Sequence, residues 1–331
     1  MERNMTIEAF MEEWNDSSDR ILVHTSGTTG KPKPMWVEKQ RMEASARITC
    51  NFLGIREGDR ALLCLPLDYI AGKMMAVRSL VRGLRLKVVE PCGHPLSADN
   101  LTDEEAQLDF VAMVPMQVYN SLQVPLERRR LMNIRHLIIG GGAVDDVLAH
   151  ELRSFPHAVW STYGMTETLS HIALRRLNGG EACEWYTAFP SVQLSATAEG
   201  CLVVDAPLVC AERLVTNDVV VFNPSRPDQF RVLGRRDLVI CSGGIKIQAE
   251  EVERQLRPYM RVPYIISKAA DSKFGEVVAL LMEPCDVEAV RQLCNEHLPR
   301  YWQPRIIRVV PKILLTETGK PRRDIRCYPV G

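Results

Sequence analysis

The densest chemistry in the chain sits in nine consecutive residues, Thr25-Ser26-Gly27-Thr28-Thr29-Gly30-Lys31-Pro32-Lys33. The glycines permit a tight loop whose successive backbone N–H groups make an anion nest, and the hydroxyls and lysines add donors suited to phosphate oxygens. The phosphate loop of kinases and ATPases needs four residues between its first glycine and a Gly-Lys pair followed by Ser or Thr. Here only two residues separate Gly27 from Gly30, and Lys31 precedes Pro32, so that rival fails on spacing. A second run, Tyr163-Gly164-Met165-Thr166-Glu167-Thr168, joins an aromatic face for a base, hydroxyls for a phosphate and a carboxylate able to hold Mg²⁺. Gly140-Gly141-Gly142-Ala143 lets backbone approach a flat ligand closely. Near the chain's end, Thr318-Gly319-Lys320 sets a lysine on a glycine turn, where a point charge can meet a carboxylate and a phosphate together. Each motif taken singly has a bland explanation: a polar loop, a capped helix start, a strand-to-helix turn, a surface lysine. Their order in one chain is what carries weight.

In that order the motifs resemble those of the acyl-adenylate-forming superfamily, which includes acyl-CoA synthetases, luciferases and adenylation domains; TSGTTGKPK matches its phosphate loop throughout. The resemblance runs from about residue 21 to residue 325. It implies that Thr25, Ser26, Gly27, Thr28, Thr29, Gly30 and Lys33 hold ATP phosphates, and that Gly141, Gly142, Ala143 and Tyr163 line the adenine. It also implies Thr166 at the α-phosphate, Glu167 as the Mg²⁺ ligand, Asp218 and Arg235 at the ribose, and Lys320 as the lysine that drives adenylation. Asp218 sits in Thr216-Asn217-Asp218, where the family usually has Thr-Gly-Asp; a turn is expected there, since Asn tolerates left-handed backbone. Asp237 is implied as the hinge of a mobile C-terminal lobe, and Gly243 and Gly244 as lining the passage for the CoA pantetheine.

The stretch Leu65-Pro66-Leu67-Asp68-Tyr69-Ile70-Ala71-Gly72 is similar to the LPLxHxxG of the compact o-succinylbenzoate–CoA ligases of menaquinone biosynthesis, with Tyr69 in the histidine slot. The acyl pocket is then expected from Tyr69, Lys73, Gln117, Gly164, Ser170 and His171. Lys73, Ser170 and His171 are its candidate polar anchors, because the second carboxylate of an aromatic diacid must be paired when buried. Superfamily members usually carry a long region before the phosphate loop, which here begins at residue 25; this shortness is a further expected likeness to the compact ligases. The implied reaction joins a carboxylic acid to ATP as an acyl-adenylate with release of pyrophosphate, then transfers the acyl group to CoA. Mg²⁺ is the implied cofactor, with ATP and CoA as substrates. A carrier protein in place of CoA, or a nucleotide-binding module without activity, are the alternatives.

The elements that must position these residues follow from patterning. Apolar runs at residues 21–24, 61–67, 86–90, 110–114, 136–139 and 158–161 are predicted strands. Amphipathic runs at 38–53, 72–81 and 145–154 are predicted helices, with Gly54 and Gly83 beyond two of the ends and Asp145 as an N-cap. A helix is also expected after the 163–168 motif. Close-spaced strand candidates between residues 192 and 223 suggest a small antiparallel region. The expected class is α/β: a large N-terminal lobe, residues 1–233, with a mostly parallel doubly wound sheet, and a small mobile α+β lobe, residues 234–331. The 41 basic residues equal the 41 acidic ones, which excludes a strongly basic nucleic-acid binder. No apolar run is long enough to span a membrane, and MERNMTIEAFMEEW lacks the layout of a secretory signal. The ten cysteines are scattered without a CxxC pair, so buried reduced thiols in a cytoplasmic protein are expected, Cys64, Cys201 and Cys241 among them. The resemblance implies small-molecule partners, a carboxylic acid with ATP and CoA, and leaves homo-oligomerisation open.

Overall fold

Short apolar runs bounded by polar residues build the sheet that carries most of the motifs. Strands Arg85–Val88, Arg60–Leu63, Phe110–Met113, His136–Ile139 and Ala158–Gly164 pair side by side in that order, all parallel. All four residues of Phe110–Met113 are buried, as a central strand covered on both faces requires. The sheet continues antiparallel through His171–Arg176 and Tyr186–Ala188 to Gln229 and Phe230. The computed structural model describes residues 5–24, 34–315 and 321–328, and the protein is a mixed α/β molecule with a large multi-stranded sheet and flanking helices. The phosphate-loop residues 25–33 and Lys320 lie outside the described residues.

The chain forms two compact units. The first comprises Met1–Leu194, Val204–Leu214 and Phe222–Phe230. Its helix Lys39–Leu53 ends at Gly54, which adopts φ 67° and donates to the Cys50 and Asn51 carbonyls; a residue with a Cβ pays a steric cost in this left-handed conformation. Helix Asp146–Leu152 starts as expected, the Asp145 carboxylate accepting from Leu148 N at 2.8 Å. Two further helices, Pro115–Gln123 and Pro125–Met132, both open on proline, whose missing N–H costs nothing in a first turn. A helix Ile7–Asn15 precedes an antiparallel pair, Arg20–His24 and Pro34–Glu38.

The second unit comprises Ser195–Val203, Val215–Val221 and Arg231–Gly331. Strands Tyr264–Asp271 and Gly275–Met282 pair antiparallel, and Ile306–Val309 joins the latter in parallel. Strands Val239–Ser242 and Ile245–Gln248 form a hairpin whose two-residue loop is Gly243-Gly244, at φ 57° and 86°; positive φ at both positions is the pattern of a type I′ turn, which glycine adopts without steric cost. Helices Ala249–Leu256 and Val287–His297 bury Val252, Leu256, Val290 and Cys294 with Ile240, Ile266 and Leu280.

Four expectations are corrected. The strand expected at 61–67 ends at Leu63, two residues before the backbone turns away through Leu65 and Pro66, and proline cannot donate to a ladder. Thr216, Asn217 and Asp218 lie inside the continuous strand Leu214–Asn223; Asn217 is not left-handed, since Leu169 is the only non-glycine at positive φ among the described residues. The chain reverses instead at Pro224 and Ser225, where Asn223 Oδ1 accepts from Ser225 N at 3.0 Å. After Thr166–Thr168 comes the strand His171–Arg176 rather than a helix, because the backbone reverses sharply at Leu169 and pairs back on Ala158–Gly164. All ten cysteines are free, but Cys241 is exposed, at a strand position that alternates away from the core.

Candidate active site

The predicted adenine-side residues gather at the ends of two neighbouring parallel strands. Gly141, Gly142 and Ala143 follow His136–Ile139 and are exposed, while Tyr163 lies near the end of Ala158–Gly164. The Tyr163 ring meets Phe230 edge-on at 5.0 Å and Tyr186 at 5.9 Å, an aromatic cluster that fixes its plane. Strand ends at which the chain leaves a parallel sheet are where ligands of α/β proteins bind. Thr166 is buried in the short turn Thr166–Thr168, and Glu167 beside it is exposed, with no hydrogen bond or ion pair among the described residues. No group of three acidic, histidine or cysteine ligands occurs among the described residues. A single free carboxylate fits Mg²⁺, which takes one or two carboxylates and completes its shell with phosphate oxygens and water.

The turn then passes through strained backbone. Leu169, buried at 2% exposure, holds φ 64° and ψ −34°, a region that costs a non-glycine residue of order 1–3 kcal/mol. Thr168 Oγ1 accepts from Met165 N at 3.0 Å and has its one proton within reach of two carbonyls, Ser170 at 2.7 Å and Met165 at 3.0 Å, so hydrogen bonds pin the turn from both sides. Its result is to aim Ser170 and His171 back beside Gly164. A Cβ on Gly164 would stand 2.2 Å from the Ser170 oxygen, so only glycine lets these two backbones meet.

The predicted acyl residues fall into two groups. Ser170 and His171 belong to one polar cluster: His171 is buried, with Nδ1 3.2 Å from Ser170 Oγ and Nε2 3.0 Å from Thr49 Oγ1. Burial, reinforced by the positive charge of Arg78, holds the imidazole well below its ordinary pKa. Lys73, expected as a third anchor, has a carboxylate partner within the protein instead. It is 2% exposed, pairs with Glu13 at 3.1 Å and lies over the Phe10 ring. Gln117 gives its amide protons to the Cys64 and Cys92 carbonyls at 3.1 and 3.0 Å and accepts from Val114 N. Tyr69 is half exposed and forms the N-cap of helix Ile70–Arg82.

One residue of this region escaped the sequence. Arg78, in the middle of helix Ile70–Arg82, is 2% exposed and makes one hydrogen bond among the described residues, Nη2 to Ser170 Oγ at 2.5 Å. Its Nε has no acceptor, and no carboxylate among the described residues pairs with it. Burial pulls the guanidinium down to about 10, where it is still charged at neutral pH. The available signal was an arginine inside the apolar run MMAVRSLV, five residues after Lys73.

In the second unit the predicted ribose and hinge residues meet. Arg235 Nη1 donates to Asp218 Oδ1 at 3.4 Å and its Nε to Asp237 Oδ1 at 3.0 Å, while Arg235 N is held by Glu250 at 2.9 Å. Gly243 and Gly244 form the hairpin tip described above. Lys320 is outside the described residues. Three residues on, Arg323 makes a paired contact with Glu253 of helix Ala249–Leu256, one arm at 2.8 Å.

Residues 5–207 match the family model described as AMP-binding enzyme. The chain is 34% identical to the solved acyl-CoA synthetase (AMP-forming)/AMP-acid ligase II-like protein of Dyadobacter fermentans, covering 96% of this chain and 91% of that one at a TM-score of 0.65. It is 25% identical over 343 residues to the 2-succinylbenzoate–CoA ligase of Listeria monocytogenes serotype 4b, over 96% of this chain and 71% of that protein. The o-succinylbenzoate coenzyme A synthetase of Bacillus subtilis, solved with ATP and magnesium ion, superposes at a TM-score of 0.76 with 25% identity, over 92% of this chain and 69% of that one. Motif order, fold and family model agree: the chain belongs to the AMP-binding enzymes, the acyl-adenylate-forming ligases.

Proposed function

We propose that this protein is an AMP-forming acid–CoA ligase whose acid is an aromatic diacid, 2-succinylbenzoate. The observation that carries the choice of acid is the buried Arg78 guanidinium, charged and without a carboxylate among the described residues. A buried cation left unpaired is costly, and a ligand that brings its own carboxylate removes that cost. A diacid brings two: one to be activated, one for Arg78. The relatives named 2-succinylbenzoate–CoA ligase support the same acid.

In this reading the substrate carboxylate attacks the ATP α-phosphate in line, forming the acyl-phosphate bond as the bond to pyrophosphate breaks. Residues 25–33 hold the leaving phosphates, Thr166 donates to the α-phosphate, and Lys320 offsets the charge that spreads over the equatorial oxygens. Glu167 would hold Mg²⁺, which when bound would neutralise further phosphate charge. Tyr163 and the 141–143 backbone line the adenine, while Asp218 accepts from the ribose hydroxyls with Arg235 beside it. The lobe after Gly234 then turns about Asp237, withdrawing Lys320 and presenting Gly243-Gly244 to the pantetheine. The CoA thiolate, its proton lost to solvent, attacks the acyl carbonyl, the thioester forms and AMP leaves with the electron pair of the broken acyl–oxygen bond. No cysteine of the protein takes part.

ATP–pyrophosphate exchange tests the acid directly. Exchange is expected with 2-succinylbenzoate and at least about tenfold weaker with the analogue lacking the ring carboxylate, a discrimination worth about 1.4 kcal/mol. Equal exchange with both acids, or thioester formation with fatty acids only, overturns the assignment.

A further inference from the structure

The polar cluster around Arg78 has a direction that can be read from donor and acceptor chemistry alone. Arginine only donates, so Ser170 Oγ must accept from Arg78 Nη2. The single Ser170 hydroxyl proton is then free to go to His171 Nδ1, 3.2 Å away, which must accept it and therefore carries no proton. A neutral ring with a bare Nδ1 holds its proton on Nε2, which donates to Thr49 Oγ1 at 3.0 Å. Thr49 in turn donates to the Ser45 carbonyl one helical turn back, at 3.2 Å. The opposite tautomer would bring two donors, Arg78 and Nδ1–H, onto Ser170 Oγ and leave the Ser170 proton without an acceptor in the cluster.

We infer that Thr49 and His171 are positioning residues: through Ser170 they hold the Arg78 guanidinium in one orientation for the second carboxylate of the substrate, with His171 as the neutral Nε2–H tautomer. The inference rests on the diacid reading above. Its structural basis is independent of it: Thr49 and His171 are buried, and Gly164 and the left-handed Leu169 fix the backbone from which Ser170 and His171 project. The arrangement has a purpose that packing alone would not need. Arg78 has a long, rotatable side chain, and a single 2.5 Å contact fixes the fork only if the acceptor is itself held. The imidazole, kept neutral by burial, also adds no second positive charge to a site meant for one carboxylate. His171 therefore shapes acid selectivity without touching the acid.

Two measurements test this. Ring ¹⁵N NMR of the unsubstituted protein at pH 7 should report His171 as neutral with the proton on Nε2; an Nδ1–H ring or an imidazolium overturns the relay. The second is the ratio of kcat/KM for 2-succinylbenzoate over the analogue lacking the ring carboxylate. His171→Leu is expected to lower that ratio about tenfold and Thr49→Val severalfold, while His171→Gln, which keeps one acceptor and one donor, retains most of it. If Arg78→Leu abolishes the preference but His171→Leu leaves it intact, the relay is overturned and the diacid reading stands. If Arg78→Leu leaves the preference intact, the diacid reading falls, and with it the role assigned to the relay. Should His171→Leu fail to fold, the NMR result and the Thr49→Val ratio still decide.

Discussion

A methyl group on Gly164 would lie 2.2 Å from the Ser170 carbonyl oxygen and 2.5 Å from the His171 Cα, both backbone atoms that cannot swing aside. Gly164→Ala is therefore expected to lower stability by about 1–3 kcal/mol, the usual cost of overpacking, and to lower the thermal midpoint accordingly; an unchanged midpoint would mean that the strand-to-strand approach relaxes freely. His171 adds a pH dependence whose sign is fixed. Burial first, and then the Arg78 charge, depress its folded-state pKa, so an unfolded chain binds a proton that the folded one refuses. Stability held at neutral pH is then lost as pH falls below the ordinary histidine range, by at most about 1.4 kcal/mol per pH unit. In denaturant titrations between pH 7 and pH 5, His171→Gln should lose less stability than the parent protein. A parallel decline in both would place the titrating group elsewhere.

Helix Ile70–Arg82 carries two buried cations that are treated differently. Lys73 has Glu13 of helix Ile7–Asn15 as its partner, and Glu13 also accepts from Leu22 N, so one carboxylate ties three elements together. Glu13→Ala should cost on the order of 2 kcal/mol, less than a fully enclosed pair because Glu13 keeps some solvent, and the double variant Glu13→Leu/Lys73→Met should recover most of it. A Glu13→Ala midpoint equal to the parent's would show that the ammonium finds another acceptor. How legible such arrangements were depends on range. The strand at His136–Ile139, the helices closing at Gly54 and Gly83 and the Asp145 cap were readable because periodicity and caps are local. Arg78 was not, because its meaning comes from Ser170 and His171, some ninety residues on, and an arginine in an apolar helix gives no direction by itself. The Leu169 reversal escaped for a related reason: leucine carries no signal for positive φ, and only the surrounding hydrogen bonds impose it. The run Thr216-Asn217-Asp218 misled in the other direction, since turn-forming residues yield to a strand when the ladder around them is continuous.

For the whole molecule, the equality of 41 basic and 41 acidic residues says little about the chemistry, which depends on where a few cations stand. The proposed reaction divides those cations in time. Lys320 is needed only while the adenylate forms, and the hinge only between the two steps. Lys320→Ala should abolish most pyrophosphate exchange yet leave thioester formation from supplied acyl-adenylate within about tenfold of the parent; equal loss of both would sink the alternation. Asp237→Pro should do the reverse, because proline locks φ at the proposed pivot. Retention of the full reaction by Asp237→Pro would move the hinge elsewhere.

The free thiols offer a way to watch that alternation. Cys92, in the first unit, and Cys241, in the second, are both exposed, whereas burial pushes the Cys64 thiol up to about 12 and keeps it protonated and inert. With the exposed Cys183 and Cys327 and the half-buried Cys285 replaced by serine, a donor and an acceptor dye on Cys92 and Cys241 would form a ruler across the two units whose two label sites are native, and the proposed alternation should change its reading with each turnover.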